Sequence, residues 1–281
     1  MTFDPLLPYG EVLGSTCRLV SWNVWGRFAD WQTRQRSLER VLAGLGPDVV
    51  CLQESWEDDH TRQADLIGDH LGLDHRLAHA DWPQADWRSG VAIISRWPVG
   101  RHERRQLPAP GAAPGTALFA ELDGPRGPLQ VFTAILHYPL HASGARQAQV
   151  AELTAFVAEV QRRRHPTIVC GDFNADADSD EIRMMTGRRP PPVEGLVFYD
   201  AWETAGDGGP GRTWVNANPL AAVSLLPDRR MDYIFSAWPR PGGAGHPVHC
   251  EVIGNAANDG DNNDLDNPVS DHYGLCADLR Y

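Results

Sequence analysis

The sequence predicts an α/β fold in which a two-layer sandwich of β-sheets is flanked by helices. Apolar runs of strand length alternate with helical segments along the whole chain of 281 residues, a pattern typical of α/β proteins. Connections in the second half are short and rich in proline and glycine, which favours antiparallel pairing. Because no internal repeat or long linker interrupts this order, we predict a single domain over residues 1–281, with its core at about residues 17–281.

The elements of the first half follow from the spacing of their apolar residues. A strand over residues 17–24 precedes a helix whose apolar residues recur at i, i+3, i+4 and i+7 from Leu38. Gly46-Pro47 ends that helix, and residues 48–55 are nearly all apolar, so we expect a strand buried on both faces. Further strands are predicted over residues 89–95, 117–122 and 129–137.

The second half repeats this alternation. A helix over residues 144–163 carries an apolar stripe from Val150 to Val160, and the arginines at 162–164 suit the negative pole of its dipole. The remaining predicted elements are a strand over 167–173, a short helix over 179–185, a proline-rich loop over 188–192, and strands over 197–202, 231–237, 249–253 and 273–280.

The chain is acidic and contains no lysine. Its formal net charge is −12, and all 25 basic residues are arginine. The absence of lysine excludes a Schiff-base lysine, a Walker-type phosphate lysine and a Ser-Lys dyad. Nonspecific binding of duplex DNA relies on a basic face, so the charge disfavours a general nuclease and leaves a local arginine groove as the alternative.

The thiols and the chain's apolar runs indicate a cytoplasmic location. No stretch approaches the roughly 20 apolar residues that a membrane helix needs, and residues 1–14 lack the basic residue of a secretory signal. The five cysteines are widely spaced and most lie in apolar runs, so we predict buried free thiols in a reducing compartment. A monomer is the default expectation.

Six short groups of acids, amides and histidines border the apolar runs. An apolar run that ends in such a group is typical of a strand that delivers a polar side chain to the rim of a sheet. Six of them predict one polar pocket. The groups are Ser21-Trp22-Asn23, Gln53-Glu54-Ser55, Leu136-His137-Tyr138, Gly171-Asp172-Phe173-Asn174, Arg230-Met231-Asp232-Tyr233 and Ser270-Asp271-His272.

The first two groups contain oxygen donors suited to a hard cation. Glu54 ends an apolar strand, where a buried carboxylate needs a cation or a hydrogen-bond donor. Asn23 offers a neutral oxygen beside it, and Mg²⁺ prefers oxygen ligands while keeping several waters. A strand-end hydrogen bond is the alternative interpretation of either residue.

Asp172 and Asn174 are predicted to face the same pocket. They are two apart after an apolar run, and in an extended chain such residues point to the same side. Gly171 allows close approach or unusual dihedral angles. The alternative is an Asx turn at the end of the strand.

An imidazole held by a carboxylate is the other chemical feature. Asp271 and His272 are adjacent and would point apart in a strand, so we assign Asp232 as the carboxylate that orients His272. His137 supplies a second imidazole, with a structural strand-end histidine as the alternative. The sequence contains no GxSxG, HExxH or GxGxxG motif and no zinc-type spacing of cysteine and histidine.

In this order, the six groups resemble the endonuclease/exonuclease/phosphatase superfamily over residues 17–281. The resemblance implies a deoxyribonuclease-like, four-layer α/β/β/α sandwich of two mostly antiparallel sheets, with the active site at one rim. It also implies Mg²⁺ or Mn²⁺ held mainly by Glu54, with Asn23 and Asp271 close by.

The resemblance further implies a role for each remaining group. Asp172 would activate the attacking water, Asn174 and His137 would donate to the phosphate, and attack would be direct, without a covalent enzyme intermediate. His272, paired with Asp232, would stabilise the pentacoordinate state.

The substrate is predicted less directly. With a histidine at position 137, the chain is similar to the branch of the superfamily that contains deoxyribonucleases, sphingomyelinases and 5-phosphatases. The string Thr213-Trp214 before Asn218-Pro219 resembles bacterial members with unassigned substrates. The loop 255–267 is rich in Asn and Asp, lacks the features of an EF-hand, and leads into the Ser270 group. The candidate substrate-binding residues are Trp82, Trp87, Arg88 and Arg230.

The first hypothesis is a metal-dependent phosphoesterase acting on a small or phospholipid-like phosphate mono- or diester. The alternative is a DNA or RNA nuclease, and the remote alternative is a non-catalytic binding module on the same fold. Residues of the alternative arginine groove are Arg88, Arg146, Arg188, Arg189, Arg229 and Arg230.

Overall fold

The computed structural model describes residues 4–108, 114–161, 166–255 and 268–281. Its strands, numbered β1 to β12 in chain order, are Thr16–Asn23, Val49–Glu57, His75–Pro83, Arg88–Ser95, Val99–Leu107, Gly115–Gly124, Gly127–Ile135, Ile168–Asp172, Phe198–Asp200, Asp232–Ala237, Pro247–Ile253 and Gly274–Arg280. Its helices, α1 to α6, are Trp31–Leu45, Gln63–Leu71, Ser143–Val160, Asp180–Met185, Ala201–Ala205 and Pro219–Ala222. None of these helices is long and apolar enough to cross a membrane.

The strands form two six-stranded sheets. The first has the order β11-β12-β1-β2-β4-β3, and the second has the order β5-β6-β7-β8-β10-β9. Only the pairs β1–β2 and β7–β8 are parallel in the part of the chain that the structure describes. Each parallel pair is joined by a helical crossover, through α1 or α3, because parallel strands cannot be joined by a tight hairpin. The prediction of two mostly antiparallel sheets is confirmed.

Three apolar layers hold the sandwich together. Side chains such as Leu19 and Val131 fill the space between the two sheets. A second layer, which includes Phe132 and Phe156, joins the second sheet to α3 and α4. A third layer, which includes Trp22 and Leu38, joins the first sheet to α1 and α2. The predicted α/β/β/α order is therefore confirmed, and all five cysteines are buried and free as predicted.

The sequence missed two of the four edge strands, β3 and β5, and two helices, α2 and α6. Residues of β5 are mostly exposed and charged, and those of β3 are mostly half-buried. Neither shows the apolar alternation of a strand with one buried face, because edge strands can be solvated on both sides. Helices α2, Gln63–Leu71, and α6, Pro219–Ala222, were also missing from the prediction. The arginines at 162–164 and residues 256–267 of the predicted acidic loop lie outside the described residues.

One predicted strand was wrong in its second half. Residues 197–202 were expected to be extended, but β9 ends at Asp200 and α5 follows directly. The Asp200 carboxylate accepts a hydrogen bond from the backbone N–H of Trp202 at 2.9 Å, which caps the helix. Local capping therefore prevails over the apolar pattern.

Both parallel pairs end at the same edge of the sandwich, which we call the rim. Asn23 is the last residue of β1, and Asp172 is the last residue of β8. Their side chains meet, with 3.1 Å between Asn23 Nδ2 and Asp172 Oδ2. Asp232 begins β10 opposite Asp172 in the antiparallel register. The fold thus brings polar groups from both sheets to one place.

Gly171 is required where β8 passes β7. It has a φ of 139°, and a Cβ placed there would lie 1.9 Å from the carbonyl oxygen of Ala134. We expect Gly171→Ala to lower the free energy of unfolding by more than about 1 kcal/mol. The matched control is Gly44→Ala in α1, where a Cβ meets nothing within 4 Å. This control should raise the free energy of unfolding by about 0.5–1 kcal/mol. Urea unfolding measures both, and equal stability of the two variants would contradict the steric argument.

Candidate active site

Glu54 lies in a β-bulge and not at a strand end. β2 continues to Glu57, and its register with β4 shifts between Gln53 and Ser55. Glu54 adopts a left-handed φ of 54°, which is rare for a residue with a side chain. A bulge turns one side chain out of the normal alternation of a strand. Backbone strain of this kind is concentrated at functional sites.

Asn23 connects Glu54 to Asp172. Its amide nitrogen donates to Glu54 Oε1 at 3.0 Å and to Asp172 Oδ2 at 3.1 Å. Its oxygen accepts the backbone N–H of Trp25 at 3.1 Å. Since only the oxygen of an asparagine amide accepts hydrogen bonds, this contact fixes the orientation of the amide. Asn23 therefore presents donors to the carboxylates, whereas the sequence predicted a neutral oxygen ligand.

Asp172 and Asn174 face one pocket through a turn. β8 ends at Asp172, whose Oδ1 accepts the backbone N–H of Asn174 at 2.9 Å, so the Asx-turn alternative describes the local geometry. Asn174 is left-handed with a φ of 51°. Its amide donates to Asp172 Oδ2 at 3.1 Å and to the carbonyl of Leu136 at 3.0 Å. Both amide hydrogens are thus used within the protein, which differs from the expected phosphate donor.

His272 is held between two carboxylates. Its Nδ1 lies 2.9 Å from Asp232 Oδ2, the pairing assigned from the sequence, and its Nε2 lies 3.9 Å from Asp172 Oδ2. Burial alone would lower the pKa of His272, but the charges of Asp232 and Asp172 raise it well above its ordinary value. The imidazole therefore carries a proton at neutral pH. The indole of Trp214 packs against it, with ring centroids 4.9 Å apart.

Burial destabilises the charged forms of three carboxylates in the pocket, those of Glu54, Asp172 and Asp271. Burial raises the pKa of Asp172 to about 6, in spite of the nearby charge of His272. Burial also raises the pKa of Asp271 to about 6, and it raises the pKa of Glu54. Asp232 Oδ1 is buried without a hydrogen-bond partner among the residues that the structure describes. Ionising the whole group at neutral pH therefore costs folding free energy.

This acidic cluster can hold a divalent metal ion. Ligand atoms of Asp172, Asp232 and His272 all lie within 4.8 Å of one another. A protonated imidazole has no free lone pair, so His272 is not a suitable ligand in this state. The other donors are carboxylate oxygens, which Mg²⁺ and Mn²⁺ prefer. A bound cation would also offset the crowding of negative charge that raises these pKa values.

His137 follows β7 of the second sheet, directly after Leu136, whose backbone contacts that of Asp172. β7 ends at Ile135, two residues before it, and the backbone N–H of Leu136 donates to the carbonyl of Asp172 at 2.9 Å. Burial lowers the pKa of His137, so its ring is neutral at pH 7. Its Nδ1 is buried without a hydrogen-bond partner in the described part of the chain.

The substrate-binding candidates are only partly placed near the rim. Trp87 is buried, and its ring lies 5.3 Å from that of Phe28 in the loop after β1. Trp82 packs against the layer between the sheets. Arg88 is exposed on β4 and its Nε lies 3.3 Å from Glu57.

Arg230, a predicted substrate-binding residue, is paired with carboxylates in the structure. Its guanidinium forms a buried ion pair with Asp200, approaches Glu203, and lies 4.8 Å from the ring centroid of Tyr233. Asp200 is needed as the cap of α5 and is itself buried, so it requires this cation. The sequence showed a basic residue beside the Asp232 group but not its partner.

The six arginines of the alternative groove all have carboxylate partners. Three of them, Arg146, Arg229 and Arg230, are buried. A guanidinium that is already paired offers less to a phosphate backbone than a free one. The pairs are Arg88–Glu57, Arg146–Glu181, Arg188–Glu203, Arg189–Asp180, Arg229–Asp176 and Arg230–Asp200.

Sequence reasoning missed Arg34, which clasps the loop after β1. This arginine of α1 is buried and donates only to backbone carbonyl groups in its hydrogen bonds. The loop contains three residues with positive φ, Trp25, Gly26 and Ala29. An arginine among polar helix residues gives no signal of this role in the sequence. The five carbonyl acceptors are those of Val24, Trp25, Gly26, Phe28 and Val269.

Thr213 and Asn218 also hold the site. Thr213 Oγ1 accepts the backbone N–H of Asp232 at 3.2 Å. Asn218 Nδ2 donates to the carbonyls of Ser270 and Asp271 at 2.8 and 3.2 Å. The Thr213-Trp214 and Asn218-Pro219 strings were noted in the sequence only as a resemblance, and the structure shows that they contact the last two polar groups.

A two-sheet sandwich flanked by helices, with acids, amides and an imidazole at one rim, defines a deoxyribonuclease-like fold. The chain belongs to the Endonuclease/Exonuclease/phosphatase family, whose sequence model matches residues 20–272. The predicted resemblance is therefore confirmed.

Two curated relatives and two solved structures illustrate the similarity. The uncharacterized protein YbhP of Escherichia coli K12 is 28% identical over 203 residues, covering 67% of this chain and 74% of YbhP. Protein angel of Drosophila melanogaster is 29% identical over 178 residues, covering 57% of this chain and 48% of that protein. D. rerio TDP2 complexed with single-strand DNA product has a TM-score of 0.72 at 22% identity and covers 95% of this chain and 100% of that chain. An endonuclease/exonuclease/phosphatase from Beutenbergia cavernae has a TM-score of 0.68 at 23% identity and covers 95% of this chain and 72% of that chain.

The hydrogen bonds from Arg34 to the backbone carbonyls should contribute measurably to stability. Arg34→Lys leaves three ammonium donors for five carbonyl groups, of which that of Trp25 also accepts the N–H of Phe28 at 3.4 Å. At least one carbonyl is therefore left without a partner, so we expect a loss of at least about 1 kcal/mol of unfolding free energy in urea. The control is Arg36→Lys on the same helix, whose guanidinium contacts Thr33 on an exposed face. An effect of Arg34→Lys no larger than that of the control would contradict the clasp.

Proposed function

We propose that this protein is a divalent-metal-dependent phosphoesterase that hydrolyses a phosphate mono- or diester by direct attack of an activated water. One observation carries the proposal. Asp172 Oδ2 lies 3.1 Å from the amide of Asn23 and 3.9 Å from Nε2 of His272. A base, a charged imidazole and the carboxylates of a proposed metal site therefore share one pocket. Phosphoryl transfer to water requires groups of these three kinds.

Glu54 and Asp271 are the proposed ligands of Mg²⁺ or Mn²⁺. Both carboxylates have raised pKa values caused by burial, and the negative charge of Glu54 adds to the shift of Asp271. When bound, the metal ion would polarise the phosphoryl oxygens and neutralise developing charge. Asn23 holds Glu54 and Asp172 in place through its amide donors.

The side chains of the pocket have separate roles as base, proton donor and hydrogen-bond donor. Asp172 accepts a proton from the attacking water, and a pKa of about 6 suits a base that works near neutral pH. His272, which Asp232 keeps protonated, donates to the phosphoryl group and stabilises the pentacoordinate state. His137 donates to the phosphate from a neutral ring. Asn174 orients Asp172, a role that replaces the expected phosphate donor.

A small or phospholipid-like ester is the favoured substrate over nucleic acid. The net charge is −12, and the arginines that would form a nucleic-acid groove are all paired with carboxylates. Nucleic-acid binding gains much of its free energy from cations that neutralise phosphates. The alternative is a nuclease with the same chemistry, and the retained carboxylates oppose a non-catalytic binding module.

We also propose a monomeric, single-domain protein of the cytoplasm. Its five buried free thiols support a reducing compartment. The described residues from both ends of the chain pair in one sheet through β1 and β12, which supports a single domain.

Removal of the proposed base or of the charged imidazole should abolish most turnover. We expect Asp172→Asn and His272→Ala each to lower kcat/KM by about 10²–10⁴-fold on bis-p-nitrophenyl phosphate with Mg²⁺. The matched controls are Asp123→Asn and His102→Ala, at exposed positions away from the rim. Full activity in either site variant, with its fold intact by circular dichroism, would refute the assigned role.

A substrate panel distinguishes the two candidate functions. Bis-p-nitrophenyl phosphate, p-nitrophenyl phosphate, plasmid DNA, RNA, inositol phosphates and sphingomyelin are compared with Mg²⁺ and with Mn²⁺. We expect the highest kcat/KM on a small or lipid ester. Strong plasmid nicking that falls steeply with salt would instead establish the nuclease.

A further inference from the structure

Three loops leave the rim next to the proposed catalytic groups. We call them the rim loops and define them as residues 24–30, 136–142 and 215–226, the last of which includes the short helix α6. The backbone N–H of Gly26 donates to the carbonyl of Glu54 at 3.0 Å, which places the first loop beside the bulge. Asn174 Nδ2 donates to the carbonyl of Leu136 at 3.0 Å, and Asn218 Nδ2 donates to the carbonyl of Asp271 at 3.2 Å.

The rim loops carry large apolar side chains that face solvent. Leu225, Val223 and Tyr138 are 88%, 76% and 73% exposed. Leu140 and Phe28 are exposed as well. The first loop comes from one sheet and the second from the other, so exposed apolar groups lie on more than one side of the pocket. Exposed apolar side chains on several segments around one pocket are typical of an interaction site, whereas single exposed apolar residues are ordinary.

The loop 215–226 combines exposure with strain. Leu225 has a left-handed φ of 55°, which is unfavourable for a bulky side chain. Its side chain gains no burial in return, since it is 88% exposed. Leu226, the next residue, does pack inward against the small cluster that contains Trp214. The backbone thus presents one leucine outward while it anchors its neighbour.

The charge of the rim loops identifies their partner. Charged residues make up 22% of the chain, yet residues 213–227 contain none. Residues 136–142 contain no charged residue other than histidine. Arg27 in the first loop is paired with Asp58. A polyanion such as nucleic acid finds no unpaired guanidinium on these loops, and an anionic surface is repelled by a chain of net charge −12.

We propose that the rim loops dock the protein onto a zwitterionic phospholipid surface, so that the phosphodiester of a lipid enters the pocket from the membrane side. The inference rests on the proposed phosphoesterase function and names its substrate class. Aromatic and aliphatic side chains insert into the interface between head groups and acyl chains, while the uncharged loop backbone meets the head groups. The occupant is a phosphatidylcholine-like surface.

Vesicle binding tests the proposal. The full chain is mixed with phosphatidylcholine vesicles and separated by flotation, and hydrolysis of bis-p-nitrophenyl phosphate is measured in parallel. We expect Leu140→Ser/Val223→Ser/Leu225→Ser to reduce the partition coefficient at least tenfold and to leave hydrolysis of the soluble diester unchanged. The matched control, Trp238→Ser/Val248→Ser, removes exposed apolar side chains at the opposite edge of the sandwich and should retain binding within twofold.

Each outcome separates docking from the proposed chemistry. Hydrolysis of the soluble diester without vesicle binding by the wild type would overturn the docking surface and leave the phosphoesterase standing. Vesicle binding that depends on the rim loops, without hydrolysis of any ester, would support the surface and refute the phosphoesterase. Equal loss in the control variant would show nonspecific apolar adsorption. Self-association that the triple variant abolishes, with no vesicle binding, would assign the surface to a second copy of the chain.

Discussion

A hydrogen bond between Asn23 and Asp172 joins the two sheets at the point where the proposed chemistry takes place. Asn23 ends a strand of the first sheet and Asp172 ends a strand of the second, and 3.1 Å separates their side-chain atoms. The same amide holds Glu54 at 3.0 Å. The relative positions of the proposed metal ligand, the proposed base and the His272–Asp232 pair therefore depend on how the two sheets pack at this rim. The large apolar layer between the sheets keeps that packing fixed.

The rim is also an electrostatic constraint. Four carboxylates, those of Glu54, Asp172, Asp232 and Asp271, share a region where burial raises three of their pKa values, and His272 and Arg34 are the cations in electrostatic contact with them. A divalent ion relieves that imbalance, so metal binding and stability are coupled in this account. Two of the loops around the pocket, residues 136–142 and 215–226, contain no Asp, Glu or Arg and expose apolar side chains. A charged interior framed by an apolar exterior suits an amphiphilic phosphate ester.

The sequence was informative wherever strand order alone determines proximity. Strand-end polar groups predicted which residues meet at the rim, and the rule that adjacent residues point apart selected Asp232 as the partner of His272. It was uninformative where tertiary contacts decide. The bulge at Glu54 depends on the pairing of β2 with β4, the amide of Asn23 is oriented by the turn at Trp25, and Arg230 is committed to Asp200, which is 30 positions away in sequence. Arg34 gave no pattern at all, because its partners are backbone carbonyls.

The dependence of thermal stability on Mn²⁺ tests the central claim most directly. If the crowded carboxylates form a metal site, the Tm of the wild type at pH 7 rises with Mn²⁺ concentration, since a ligand that binds only the folded state stabilises it. Glu54→Gln should lose that rise. Without metal its Tm should equal or exceed that of the wild type, because removing a carboxylate with a raised pKa relieves repulsion at pH 7. A wild-type Tm that is independent of Mn²⁺, or an equal rise in Glu54→Gln, would contradict the account.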